Sequence, residues 1–167
     1  MDLGLYAPRG EECTRRDSMD ALEFHHPLNP NSEIHLRFLG RTVGLKRIGV
    51  TIARVPPGKE SFIYHAHQNE EEWVYILSGR GIAEIGNMEY EAEPGDFMGF
   101  GLPQQPNHLC NPFNEDLVYL IGGEAGRLDV GVFPRLGKRV IRDSESAYIL
   151  DESALQLFWR SKKSNED

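Results

Sequence analysis

An all-β single domain is the fold this chain predicts, and three observations carry the prediction. Short apolar segments rich in β-branched and aromatic residues recur about every ten residues through the middle of the chain. Between them lie the residues that turn a chain sharply, with 17 Gly and 10 Pro among 167 residues. Few stretches place apolar residues at helical spacing. Many short strands with turn-rich connections make a β-sandwich or barrel. A chain of this length buries roughly two-thirds of its unfolded surface in one core, so it needs no disulfide staple. The expected division is an N-terminal arm at 1–33, a barrel at 34–142 and a C-terminal extension at 143–167.

Met1 to about Glu33 is polar, mixed in charge and broken by Pro8, Pro27 and Pro30, which suggests an irregular arm. His25 and His26, just before Pro27, read as exposed loop histidines rather than ligands. From Ile34 the pattern Ile-His-Leu-Arg-Phe alternates, and Ile48 to Val55 is a β-branched run closed by Pro56-Pro57-Gly58, so one or two strands are expected here. Ser61 to His67 reads as a strand. The apolar run Trp73 to Leu77 reads as a buried one, with Trp73 and Tyr75 in the core. Gly81–Ile85 and Met88–Ala92 flank Gly86-Asn87, a two-residue connection suited to a hairpin. Pro94-Gly95-Asp96 turns into a short strand ending at Phe100. A Pro-broken loop then leads to His108–Asn111, and Leu117–Ile121, with Tyr119 in the core, is another apolar strand. Leu128 to Phe133 reads as a last barrel strand. Ser153 to Arg160 makes either a short helix presenting Leu155, Phe158 and Trp159 or irregular docked chain, and Lys162 to Asp167 should fray.

Charge narrows the function classes. A formal net charge of −8 and a pI near 5.3 repel phosphate backbones and anionic lipid, which disfavours nucleic-acid and membrane-surface partners and favours a small-molecule ligand. No apolar run approaches the roughly 20 residues that span a bilayer, and the Met1 region lacks a basic segment followed by an apolar one, so a cytoplasmic address is expected. Cys13 and Cys110 stand far apart in no paired-cysteine motif and read as reduced thiols. The arm and the run Ile48 to Val55 suggest an edge strand that a second copy would cover, and hence a homodimer.

The densest supply of metal-binding groups lies between Pro57 and Gly81. On a strand, His65 and His67 face the same way roughly 6–7 Å apart. Four residues later the chain has room to turn, and Glu72 opens the apolar strand that returns a carboxylate beside them. Two imidazoles and a carboxylate with open positions suit a divalent ion such as Zn, Mn, Fe or Ni. Ser61 and Ser78 have no His-Asp partners at a recognisable spacing, so a nucleophilic triad is not supported.

Gly58, His65, His67, Glu72 and Gly79 together resemble the first motif of the cupin superfamily, with one extra residue between Gly58 and His65. Pro56 to Phe62, Glu70 to Trp73, Ile76 to Gly81, Pro94 to Phe100 and Asn111 to Phe113 are similar to the small bacterial single-domain cupins of the conserved-barrel type. The resemblance covers roughly residues 45 to 125. It implies an all-β cupin barrel of jelly-roll type, with Glu72 rather than Glu70 or Glu71 as ligand. In the second motif Gly95 and Asn111 match, but Gly101 and Pro103 stand where Pro and Gly belong and one residue is inserted. Asn107 then occupies the place of the third histidine, with His108 next to it. On a regular strand His108 faces away from the site, and only a bulge, which the inserted residue and Pro106 permit, would turn it in as the fourth ligand. Both geometries stay open.

Tyr64, Met98, Phe100, Gln104 and Asn107 are expected to line a substrate pocket, from their nearness to the motifs. The resemblance implies three kinds of function. One is isomerisation or epimerisation of a small polar, sugar-type molecule, with Glu71 or Glu72 as base. A second is a non-catalytic binding or sensing module with a weakened metal site. The third is a metal-dependent dioxygenase, which the missing third histidine disfavours.

Overall fold

The computed structural model describes residues 13–15, 19–143 and 145–159. Among them run strands β1 (Leu22–Phe24), β2 (Ile34–Arg37), β3 (Ile48–Val55), β4 (Lys59–Glu60), β5 (Ala66–His67), β6 (Glu72–Ser78) and β7 (Gly81–Ile85). They continue with β8 (Met88–Ala92), β9 (Phe97–Phe100), β10 (Asn107–Asn111), β11 (Leu117–Glu124), β12 (Asp129–Phe133), β13 (Lys138–Arg142) and β14 (Ala147–Asp151). One helical turn, α1 (Leu39–Thr42), interrupts them. Three antiparallel sheets result, ordered β1-β2-β3-β11-β6-β9, β4-β10-β7-β8 and β14-β13-β12-β5. An isolated bridge between His65 and Asn107 joins the approach to β5 to the start of β10.

Alternation along the strands builds the core. Ile34 and Leu36 of β2, Ala53 and Val55 of β3, Val74 and Ile76 of β6, Leu109 of β10 and Leu117 and Tyr119 of β11 pack as one cluster. Each large apolar side chain buried there contributes about 1.5–3 kcal/mol. The opposite side of β6 meets water: Tyr75 and Leu77 are 39% and 41% exposed, and Trp73 stacks on Phe97. The sequence suggested a buried run with Tyr75 in the core, but this sheet buries one face only, so the apolar run divides between them.

Two turn devices fix the barrel's end. Gly79 closes β6 with φ 72°, and a Cβ there would stand 2.0 Å from the Asp116 carbonyl oxygen. Asn111, fully buried, donates from Nδ2 to the Val55 and Glu115 carbonyls at 2.9 and 2.8 Å and accepts from Phe113 N–H at 3.2 Å. The Asn111 amide thus ties the end of β3 to the turn that leads into β11.

Several expectations change. The stretch Ser61 to His67 is not a continuous strand; Ala66–His67 pairs with Gly131 and Val132 of β12, and His65 makes only the isolated bridge to Asn107. The arm contributes β1, paired with β2. β3 lies between β2 and β11, so it is no edge for a second copy to cover. β12 is not last, because β13 and β14 extend its sheet. The segment from Ser153 is neither the helix nor the docked chain: a single 3-10 turn at Glu152–Ala154 leads into irregular chain on which Leu155, Phe158 and Trp159 stay exposed. Most of the arm before Met19, Arg160 and the stretch Lys162 to Asp167 lie outside the described residues. No helix among the described residues is long and apolar enough to cross a membrane.

Candidate metal centre

His65 and His67 enter the site from β5 and its approach, and each is locked through one ring nitrogen. His65 Nδ1 donates to the Ile63 carbonyl at 2.6 Å, and His67 Nδ1 donates to Asp129 Oδ2 at 2.6 Å. A carbonyl and a carboxylate only accept, so both rings carry their hydrogen on Nδ1 and keep Nε2 for a cation. The ring centroids are 5.0 Å apart. Glu72, the first residue of β6, sits between Gly123 of β11 and Phe100 of β9 and shares the inward face with Val74 and Ile76. One ligand atom from each of His65, His67 and Glu72 lies within 4.8 Å of the others. They line a pocket of about 530 Å³ together with Asn107, Tyr119, Phe24, His26 and Arg41.

Electrostatics suit a cation. Burial, then the neighbouring His67, pushes His65 down to about 4, so it is neutral near pH 7. Burial alone would lower His67, but its hydrogen bond to Asp129 and the charges of Glu72, Asp129 and Glu70 outweigh that and hold it above its ordinary value. Burial, then the charges of Glu70 and Asp129, raise Glu72 against the opposing pull of His67 and Arg142. A divalent ion would remove that penalty. A second grouping, His67 with Glu70 and Asp129, also lies within 4.8 Å. Its carboxylates are already engaged: Glu70 accepts from Arg142 Nη2 at 2.5 Å and from Gly126 N–H at 2.7 Å, while Asp129 holds His67. Asp129 therefore orients His67, while Glu70 is held by Arg142 and Gly126.

The Cupin domain family model matches residues 51–122. A solved structure from Acidithiobacillus ferrooxidans, provisionally named a sugar phosphate isomerase, is 32% identical, covers 90% of this chain and 98% of its own, and superposes with a TM-score of 0.83. The chain belongs to the cupin superfamily. A sugar phosphate isomerase of the cupin superfamily from Silicibacter pomeroyi, 20% identical over 84% of this chain and 93% of its own with a TM-score of 0.75, shares the fold. An uncharacterised protein of Methanocaldococcus jannaschii is 35% identical over 68 residues, 41% of this chain. The chain spans about half the length of that curated relative, 53%.

Against this cupin barrel the sequence-derived site residues sort clearly. Asn107 faces the pocket: β10 runs in unbroken register with β7, from Asn107↔Ile85 to Cys110↔Ile82, and Asn107, Leu109 and Asn111 are its buried side. No bulge turns His108 inward, so it does not join His65, His67 and Glu72; its imidazole groups with Glu60 and Cys110 instead. Glu71 is exposed at the pocket mouth, outside both groupings of the pocket. Tyr64 is not a pocket residue, because its hydroxyl donates to the Gly86 carbonyl and its ring is covered by Arg135. Phe100 is core and Met98 packs against it. Gln104 acts on the site from behind, accepting the His67 N–H at 2.6 Å.

Several site residues carried no signal in the sequence. Asp129 reaches His67 because β12 pairs with β5, and Arg142 reaches Glu70 from β13. Glu70 is buried at 6% exposure. His26 lines the pocket, edge-on to Phe24 and Phe133, with Nδ1 accepting from Leu28 N–H at 3.2 Å.

Proposed function

We propose that this cupin is a metal-dependent isomerase or epimerase of a small phosphorylated sugar. The observation that carries the reading is the convergence of two Nδ1-anchored imidazoles and a buried carboxylate on one pocket wall. His65, His67 and Glu72 would hold the divalent ion, which supplies Lewis-acid polarisation of a carbonyl or hydroxyl when bound. Asn107, whose buried Nδ2 has no hydrogen-bond partner among the described residues, donates to a substrate oxygen. Arg41, exposed over the Phe38 ring at 4.5 Å, offers a cation for a phosphate at the mouth. Glu71 is the carboxylate free to take a proton from the carbon beside the carbonyl and return it to the neighbouring carbon or the opposite face. The 32% identical relative supports the substrate class.

The test is deuterium incorporation from D₂O into a panel of sugar phosphates, with protein reloaded with Zn, Mn, Fe or Ni. Exchange at the carbon next to the carbonyl, lost in Glu71→Gln, is the expected result. Binding without exchange across the panel would make the protein a sensing module. A second reading also has its own observation, since two His and one carboxylate with open positions is the donor set of iron oxygenases. Oxygen uptake by the iron form with no exchange would select it.

A further inference from the structure

A second cluster of metal-ligating side chains centres on His108, which borders the pocket but belongs to a different grouping from His65, His67 and Glu72. Alternation puts His108 and Cys110 on the side of β10 opposite Asn107 and Leu109, and the register sets Glu60 of β4 across from Cys110. One ligand atom from each of Glu60, His108 and Cys110 lies within 4.8 Å of the other two. Cys110 Sγ is 3.5 Å from His108 Nδ1, and His108 Nε2 is 3.5 Å from Glu60 Oε2. These two contacts use different ring nitrogens, so one ion would draw the thiol and the carboxylate to a single nitrogen of His108, a rearrangement within the 4.8 Å grouping.

A buried orphan points to a ligand here. The His108 side chain is 9% exposed, and its Nε2 is buried with no hydrogen-bond partner among the described residues. Glu60 is already aimed, with Oε2 accepting from Asn29 Nδ2 at 2.9 Å and Oε1 from Asn31 Nδ2 at 3.2 Å, the kind of outer support that orients metal carboxylates. Glu84, opposite His108 on β7, is neutralised by Arg135. Glu60 and a Cys110 thiolate are then the two negative charges left for one dication.

We infer that Glu60, His108 and Cys110 form a second metal site, on the β4-β10 pair, for a zinc-type divalent ion. A sulfur, nitrogen and oxygen donor set favours Zn or Co over Mg or Ca. Binding breaks the Cys110 S–H bond, forms a metal–sulfur bond and releases one proton to solvent. The ion clamps the two-residue strand β4 to β10, just ahead of the segment that carries His65. The site shares no ligand with the His65, His67 and Glu72 grouping, so the two fill independently.

Cobalt(II) titration tests this in a Cys13→Ser background, which removes the other thiol. The expected result is two equivalents per chain and a thiolate-to-cobalt charge-transfer band. Cys110→Ser should lose the band and one equivalent. His65→Ala/His67→Ala should lose the other equivalent and keep the band, so failure at the pocket is read separately from failure here. His108→Ala and Glu60→Gln give independent variants, each weakening the band-forming site ten-fold or more. Absence of the band in protein whose circular dichroism is native overturns the inference, as does a band that persists in Cys110→Ser.

Discussion

At the scale of single residues, the site was legible where its chemistry is local. His65, His67 and Glu72 lie within eight residues, so their residue types and spacing mark them in the sequence even though Ser61 to His67 is not one strand. Asp129 was not legible, because it stands 62 residues from His67 and arrives only through strand pairing. Its role is testable: Asp129→Asn should weaken metal binding at the pocket by about 10–100-fold by loosening the His67 ring, measured by competition with a chelator. Asn107 gives a second test. Because it shares the pocket with His65 and Glu72, Asn107→His should add an imidazole ligand and tighten Zn or Ni by at least about ten-fold, or ~1.4 kcal/mol. In a Cys110→Ser background, which silences the second cluster, His108→Ala should leave that affinity unchanged. An unchanged affinity in Asn107→His would mean that β10 holds this side chain out of reach.

His26 supplies the pH dependence. Its ring packs among Phe24 and Phe133, and burial holds its pKa below the ordinary value. The unfolded chain therefore binds this proton near pH 6.5 while the folded chain still resists it. Stability from this residue is fully present above the unfolded pKa and is lost as pH falls through the window below it. His26→Gln removes that dependence. Urea midpoints at pH 8 and pH 5.5 should therefore fall further in the wild type than in the variant.

At the scale of elements, strands with β-branched or alternating sequence were legible and those held by charge were not. β13 reads Lys-Arg-Val-Ile-Arg, no apolar stripe, yet it is anchored by Lys138 to Asp151, Arg139 to Glu152 and Arg142 to Glu70. Two-residue β5 is likewise invisible to any periodicity argument, since it exists through its pairing with β12. The contact that seats Glu72 is closer still. A Cβ on Gly123 would lie 2.4 Å from the Glu71 carbonyl oxygen and 3.0 Å from Glu72 Cα, both backbone atoms that cannot swing aside. Gly123→Ala should therefore push β6 from β11, costing about 1–3 kcal/mol and lowering the melting temperature by about 2–12 °C. It should also weaken pocket metal binding. Gly49→Ala, whose Cβ would meet only the Gly123 carbonyl oxygen at 3.8 Å, is the matched control and should do neither.

At the scale of the whole molecule, the dimer expected from the sequence needs a different interface from the one first suggested. β3 is enclosed, whereas β14 is the open edge of its sheet, with Tyr148 and Ile149 59% and 42% exposed. The chain that follows presents Leu157, Phe158 and Trp159 at 71%, 102% and 75% exposure. An unpaired edge strand beside exposed aromatic residues is a surface that invites strand pairing, and a two-fold axis lets each copy cover the other's edge with the same residues. The expected solution mass at micromolar concentration is thus twice the 18.9 kDa of one chain. Phe158→Asp with Trp159→Ser should return it to one chain while leaving pocket metal binding intact, because neither residue lines that pocket. Light scattering of wild type and variant decides it. A single-chain mass for the wild type rejects the dimer, and a dimeric mass unchanged by the double substitution rejects this interface.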